Sequence, residues 1–327
     1  ASGALLGDAE LDAYLAQVAR RLSTARGPAP RALRSARTNA FALPNGAIYL
    51  TTGVLALAAD EAELAAVLGH ELAHVARRHA LVSFHRARTS RGVFLLTPHA
   101  DYRSALARTY NQLEAFAAFG QDQEREADRD ALALASAGGY DPAATADLLE
   151  RLAARATSEG LHEPDDAFAT HPRLEERIAL VRKAVASSGA PRRERGAAAY
   201  DEHVAPALAA NAALEAALGR YAVARAQARR GAAGRPRDPA AQVALGEVAR
   251  REATADADAE ALAAFRRAIA LDPTMAAAWR GAGLVAARRG PLAEARAALA
   301  RYLELAPDAG DAPLARAALS ALGAGER

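Results

Sequence analysis

His70-Glu71-Leu72-Ala73-His74 lies inside a longer run that opens Asp60-Glu61-Ala62-Glu63-Leu64 and closes Arg77-Arg78-His79. A helix advances about 100° per residue, so His70 and His74 project from neighbouring turns on one side, where two imidazoles can hold a single zinc ion. Glu71 is rotated out of that pair but can reach a water on such an ion, where a hydrolase needs its general base. Five residues can recur by chance. The rest of the chain must therefore supply a third ligand, an orienting group and a substrate site.

Local signals frame this stretch as one helix. Asp60 can accept from the free amides of the first turn, and Glu63, three residues on, completes a capping-box pattern. Leu64, Leu68, Leu72 and Val75 make an apolar stripe, with His70 and His74 at its margin, placed to line a cleft beside the core.

At 327 residues the chain can bury a large core, and domains of roughly 100–200 residues make two units the expectation. The formal net charge is only +2, and Lys183 is the sole lysine among many arginines. No basic block is interleaved with aromatics, so nucleic-acid binding is not expected. The absence of cysteine removes disulfides, thiolate ligands and cysteine nucleophiles together. No run approaches the roughly 20 apolar residues of a spanning helix; the candidate Val93-Phe94-Leu95-Leu96 is far shorter. The expectation is a soluble chain, with peripheral membrane association left open. It begins Ala1-Ser2-Gly3 without a basic, apolar leader, so any targeting segment is expected to have been removed or never to have existed.

In chain order, residues 8–22 read as an amphipathic helix capped by Asp8, ended by Gly27-Pro28-Ala29-Pro30. Two short β runs, about residues 36–42 and 47–52, flank Pro44-Asn45-Gly46, whose Asn-Gly pair suits a tight hairpin. Residues 83–100 read as irregular and basic, and a helix is expected from about Asp101 to Phe119, broken at Gly120. A second acidic helix then runs from Gln121 to Gly138-Gly139. Further helices are expected from Tyr140 to about Ala156 and from Pro172, with Leu174, Ile178, Val181 and Val185 on one face. Residues 187–196 are the linker candidate. The expected domains are therefore 1–190 and 197–327.

Beyond residue 197 the chain repeats. Ala276 to Pro307 fits a helix-turn-helix template of about 34 residues, with Trp279, Gly283, Gly290, Ala295 and Pro307 at its offsets. The preceding unit, with Gly246, Ala261, Phe265, Ala268 and Pro273, fits after an insertion near Thr254–Asp258, and a degenerate unit spans Leu208–Pro239. Such repeats resemble tetratricopeptide repeats, which stack into an α-solenoid with a concave surface for peptides or partner proteins. The plain alternative is an Ala-rich helical bundle.

The third ligand must come from elsewhere, and cysteine is unavailable. The pattern in which Gly and His follow the second histidine is absent, because Arg77 and Ala80 stand there. On the acidic helix two i,i+4 pairs compete, Glu124 with Asp128 and Glu126 with Asp130. Asp128, Ala131, Leu132 and Ala135 fall within about 80° of Glu124, on the stripe that should be buried. Glu126 and Asp130 share a side with Arg125, Arg129 and Ala133, which reads as solvated. Glu124 is thus the expected third ligand, and Asp128 the group that accepts from the outer ring N–H of a ligating histidine.

With those residues in place, the chain resembles the HtpX-type and CaaX-prenyl-protease-type zinc metallopeptidases, peptidase family M forty-eight. The likeness rests on His70 to His74, Glu124-Arg125-Glu126-Ala127-Asp128, Thr170-His171-Pro172 with Arg177-Ile178, and Asn39 to Pro44, over about residues 8–185. It implies a mainly α fold with a small β-sheet, a zincin-type (gluzincin) metalloprotease domain, and one catalytic Zn2+ held by His70, His74 and Glu124 with Glu71 as base. The repeats make it most similar to BepA-like members, which implies a periplasmic or cell-envelope setting, quality control of outer-membrane proteins, and a protein partner on the repeats. Phe119-Gly120-Gln121 departs from the more usual Tyr-Ser-Arg of the family.

His171 and Arg177 enter through that resemblance. His171 is expected near the zinc, as a resting ligand that holds the enzyme inactive or as a contact to substrate or oxyanion; it could also merely cap the helix at Pro172. Arg177 assists the transition state or pairs with the neighbours of Glu124. His79, His85, His99, His162 and His203 have no partner legible in the sequence. An extended peptide substrate is expected to pair with the exposed edge of the sheet near residues 47–52, unless that hairpin only covers the metal helix. The rival function is a latent protease that works as a repeat-based chaperone or adaptor in outer-membrane protein assembly.

Overall fold

The structure is a computed structural model in which residues 5–24, 27–82, 119–158, 174–189, 193 and 195–324 are described. Residues 101–118 of the expected helix, the irregular stretch at 83–100, His171, His85, His99 and His162 lie outside the described residues. Two compact units divide at Ala207/Leu208, a boundary that falls inside helix α7 (Ala197–Ala217).

The first unit is built around helix α3 (Glu61–Ala76). Asp60 Oδ1 accepts from the Glu63 N–H at 2.9 Å, and Glu63 Oε2 reaches past the cap to the Ala59 N–H at 2.8 Å. Helix α3 packs against α1 (Ala9–Leu22), strand β2 (Ala40–Ala42), α4 (Gln121–Ala137) and α5 (Ala143–Ser158). The single apolar stripe read from the sequence is therefore too narrow. Every residue from Ala62 to Glu71 is buried, and Leu72 and Val75 are only half-buried. Neighbours on several sides bury small alanines as completely as leucines. At the crossing with α4, a Cβ on Gly69 would stand 3.4 Å from Ala131 Cα, so the helices meet almost backbone to backbone.

Among the described residues the sheet has three strands in the order β1-β3-β2. The hairpin forms as expected, with β2 antiparallel to β3 (Ile48–Thr51). A third strand, β1 (Arg31–Leu33), adds parallel to β3, pairing Arg31 with Tyr49. Strand β3 is thus central, and the expectation of a free edge near residues 47–52 is wrong. Three residues without β-branching left β1 illegible, as did the short helix α2 (Thr52–Leu57) that follows β3. Phe41, at 0% exposure, packs with Leu33, Ala80 and Phe119 under the sheet.

Helix α6 (Leu174–Ser188) packs on α4 and α5. The stretch read as a linker carries ties: the Arg195 guanidinium pairs with Asp60 at 2.7 Å, with Glu63 at 3.2 Å and with Asp147. Tyr200 is fully buried and donates to the Leu55 carbonyl at 2.7 Å, while His203 stacks on Tyr14 at 4.2 Å.

The second unit is a run of paired helices: α8 (Tyr221–Gly234), α9 (Pro239–Glu252), α10 (Ala255–Leu271), α11 (Ala276–Arg289), α12 (Leu292–Leu305) and α13 (Ala312–Ala324). Each packs mainly on its sequence neighbours, as stacked repeats do. Phe265 fills the space between α9, α10 and α11; a Cβ on Gly246 or Gly281 would stand 2.6 or 2.2 Å from its ring. Glycine at these two positions is what lets the helices close over the phenyl group.

Candidate metal centre

Three buried side chains converge at the middle of α3 and the start of α4. His70 Nε2 and His74 Nε2 are 3.0 Å apart, and each lies 3.4 Å from a different oxygen of Glu124. These residues form the one His/Cys/Asp/Glu cluster suited to a metal among the described residues. Nitrogen or oxygen ligands about 2.0–2.1 Å from a tetrahedral zinc stand roughly 3.3 Å from one another. The 3.0 Å between the two Nε2 atoms is close to one edge of that tetrahedron, Glu124 sets one carboxylate oxygen near each histidine, and one ligand atom from each of the three residues lies within 4.8 Å of the others, so the donor set fits zinc.

Periodicity places Glu124. Helix α4 buries Glu124, Ala127, Asp128, Ala131 and Ala135, and its close crossing with α3 at Gly69 and Ala131 turns this face toward His70 and His74. Glu126 and Asp130 take the other side. They are half-exposed rather than freely solvated: Asp130 receives two hydrogen bonds from Arg77, at 2.6 and 3.1 Å, and Glu126 lies 3.3 Å from the same guanidinium.

Asp128 Oδ1 faces His70 Nδ1 at 3.0 Å. A proton on Nδ1 leaves the lone pair of Nε2 toward the cluster, which is the tautomer a ligand needs. Burial disfavours the charged imidazole, but Asp128 and Glu124 outweigh it, and His70 is pushed up to about 9. Burial likewise opposes the charge on Asp128, yet Arg177 and His70 hold its carboxyl well below the usual carboxylate range.

Arg177, on α6, is buried and donates to Asp128 through Nε at 2.8 Å and Nη2 at 2.7 Å. Its third nitrogen lies 3.1 Å from Glu124 Oε2. It pairs with Glu124 and Asp128 themselves rather than with their neighbours.

Sequence reasoning missed two residues here. His79 Nδ1 lies 2.9 Å from His74 Nδ1, and burial holds His79 below the usual histidine range. Phe119 stacks on the His74 ring, centroids 3.8 Å apart and planes 15° from parallel. The five-residue spacing from His74 to His79 was the available signal, but five residues turn a helix by about 500°, which fits no single face; Arg78, with φ at +57°, turns the chain here.

Glu71 is 2% exposed. It lines a cavity of about 50 Å³ together with His70, Asp128 and Arg177. The apolar wall of that cavity is Val54, Ala66, Val67, Leu148, Leu149 and Leu152, with Asn39 and Ala40 bringing the edge strand β2 to its rim.

Two histidines and a glutamate from two packed helices, with a second glutamate inside the histidine motif, are a residue set suited to one metal ion with a carboxylate beside it. Residues 6–185, more than half of the chain, match Peptidase family M48, and the chain belongs to that family. Residues 250–320 match a tetratricopeptide repeat. Among relatives, mitochondrial metalloendopeptidase OMA1 of Schizosaccharomyces pombe is 34% identical over 176 residues, 51% of this chain and 51% of that protein. The beta-barrel assembly-enhancing protease of Escherichia coli is 29% identical over 155 residues, 44% of this chain and 31% of that protein. Metalloprotease LoiP of Escherichia coli is 31% identical over 157 residues, 46% of this chain and 60% of that protein. The match therefore spans about a third to three fifths of these relatives. Among the described residues no helix is long and apolar enough to cross a membrane.

Proposed function

We propose that this protein is a zinc-dependent endopeptidase that cleaves misfolded or stalled proteins of a bacterial envelope, in the periplasm. The observation that carries the reading is the convergence of His70, His74 and Glu124, one ligand atom from each within 4.8 Å of the others, with Glu71 on the wall of the adjoining cavity. The envelope setting draws on the beta-barrel assembly-enhancing relatives combined with a repeat unit.

Zinc, when bound, supplies Lewis acidity toward a scissile carbonyl and brings the pKa of an attacking water down to roughly 7. Glu71 takes the proton from that water and returns it to the leaving amine, the work of a general base that becomes a general acid. Asp128 holds the His70 tautomer, and Arg177 holds Asp128 and Glu124 in place. The backbone of the substrate pairs with β2, an edge strand that reaches the cavity through Asn39 and Ala40. The cavity then receives one aliphatic side chain beside the scissile bond. The repeats offer a surface for a protein partner.

The test is cleavage of casein by zinc-loaded wild type and by Glu71→Gln. Equal zinc content with activity in the wild type alone supports the protease. Should both be inactive, His171→Ala is the next variant: activity gained there makes His171 a latch, and continued inactivity favours a repeat-based adaptor.

A further inference from the structure

We propose that His79 is a positioning residue for the metal ligand His74, and that Glu126 acts on the site through it. This rests on the reading of His70, His74 and Glu124 as ligands. The two ligating histidines then have different supports. His70 is held by a carboxylate directly, Asp128 Oδ1 at 3.0 Å. His74 faces another imidazole, with 2.9 Å between the two Nδ1 atoms.

Two ring nitrogens at that distance share one proton. His74 turns Nε2 toward His70 and Glu124, so Nε2 keeps its lone pair there and the proton sits on Nδ1. His79 Nδ1 must then be the acceptor, and the proton of His79 sits on Nε2. That atom faces Glu126 Oε2 at 3.4 Å, and Arg77 Nη1, 3.3 Å from the same oxygen, holds the carboxylate in place. Glu126 thus selects the tautomer of His79, and His79 selects that of His74.

The surroundings leave these rings little choice. His74 is fully buried and His79 is 5% exposed, so water does not replace either partner. Phe119 lies flat against His74, which fixes the ring plane. The left-handed turn at Arg78 is the local strain that brings His79 back toward the end of α3, and such strain persists where surrounding contacts demand it. The half-exposed acidic face of α4 thereby acquires a role toward the ion.

The experiment compares the full chain as wild type, His79→Leu, His79→Asn and Glu126→Ala. Leucine and asparagine both branch at Cγ, but only asparagine offers an acceptor near the place of Nδ1. Zinc affinity is read by competition with a chromophoric chelator, and the fold by thermal unfolding of the metal-free protein. His79→Leu is expected to bind zinc about 10–100-fold more weakly, the usual effect of losing such a support. His79→Asn recovers most of that loss. Glu126→Ala weakens binding less, and adds nothing in the His79→Leu background. Wild-type affinity in His79→Leu, or equal losses in the leucine and asparagine variants, overturns the positioning role. Wild-type affinity in Glu126→Ala overturns the relay, a result that stands even if His79→Leu does not fold. Wild-type protein that takes up no zinc overturns the metal reading itself, which distinguishes that failure from the others.

Discussion

Arg177 grips Asp128 with two parallel hydrogen bonds, Nε to Oδ2 at 2.8 Å and Nη2 to Oδ1 at 2.7 Å, while its remaining nitrogen reaches Glu124. One buried cation from α6 thus fixes both acidic residues that α4 presents to His70 and His74. Lysine cannot reproduce a planar fork of this kind. Arg177→Lys is expected to bind zinc more weakly. Arg177→Ala leaves two buried carboxylates short of their cation and is expected to cost about 3–5 kcal/mol, the usual result of breaking a buried pair. Denaturant unfolding of the metal-free protein measures this.

The pH dependence of the metal-free protein has two limbs. His70 is raised to about 9 in the fold, against an ordinary value of about 6.5. Its contribution is therefore fully present below about 6.5 and is lost as pH rises through 9. Asp128 is depressed, so its contribution is present above the ordinary carboxylate value of about 4 and is lost as pH falls below it. Thermal midpoints in chelator should be highest between about 4 and 6.5 as far as these two groups decide them. Zinc must displace the His70 proton, so zinc affinity should climb with pH up to about 9, with proton release that isothermal calorimetry in different buffers can count.

On the proposed reading, the cavity beside Glu71 receives a substrate side chain and its size selects among substrates. Ala66 is 2% exposed and lines it, so Ala66→Val narrows the space, and equal zinc content in the two proteins checks that His70 keeps its place. Cleavage of a peptide library should shift toward smaller residues beside the scissile bond. An unchanged preference would show that the side chain goes elsewhere. The expected selectivity change is about 1–3 kcal/mol per methylene accommodated or excluded, or 10- to 200-fold in kcat/KM.

In the repeat unit, Gly281 leaves room for Phe265, and a Cβ there would meet the ring at 2.2 Å. Gly281→Val forces the ring or the helix to shift, and overpacking of this kind costs about 1–3 kcal/mol. Urea unfolding of the full chain, followed at the repeats, is the measurement; Gly310→Ala, where the structure has open space, is the control.

The sequence alone determined what is periodic and local. Spacing of four put His70 with His74 and Glu124 with Asp128, because one helical face recurs every three to four residues. Asp60 and Glu63 announced the start of α3, Asn45-Gly46 the hairpin, and the small residues at fixed offsets the repeats, since caps, turns and close helix packing each demand particular side chains nearby in the chain. The tertiary structure alone decided which faces meet. It made β3 central by adding β1, whose Arg31 pairs with Tyr49 eighteen positions further on, a pairing with no local signature. It brought Arg177 to Asp128 from α6 and, through a left-handed residue that no helical wheel contains, returned His79 to His74. Such contacts depend on how separate elements pack, and the energy that selects them comes from apolar surface buried between several elements at once, which no stretch of sequence read by itself displays.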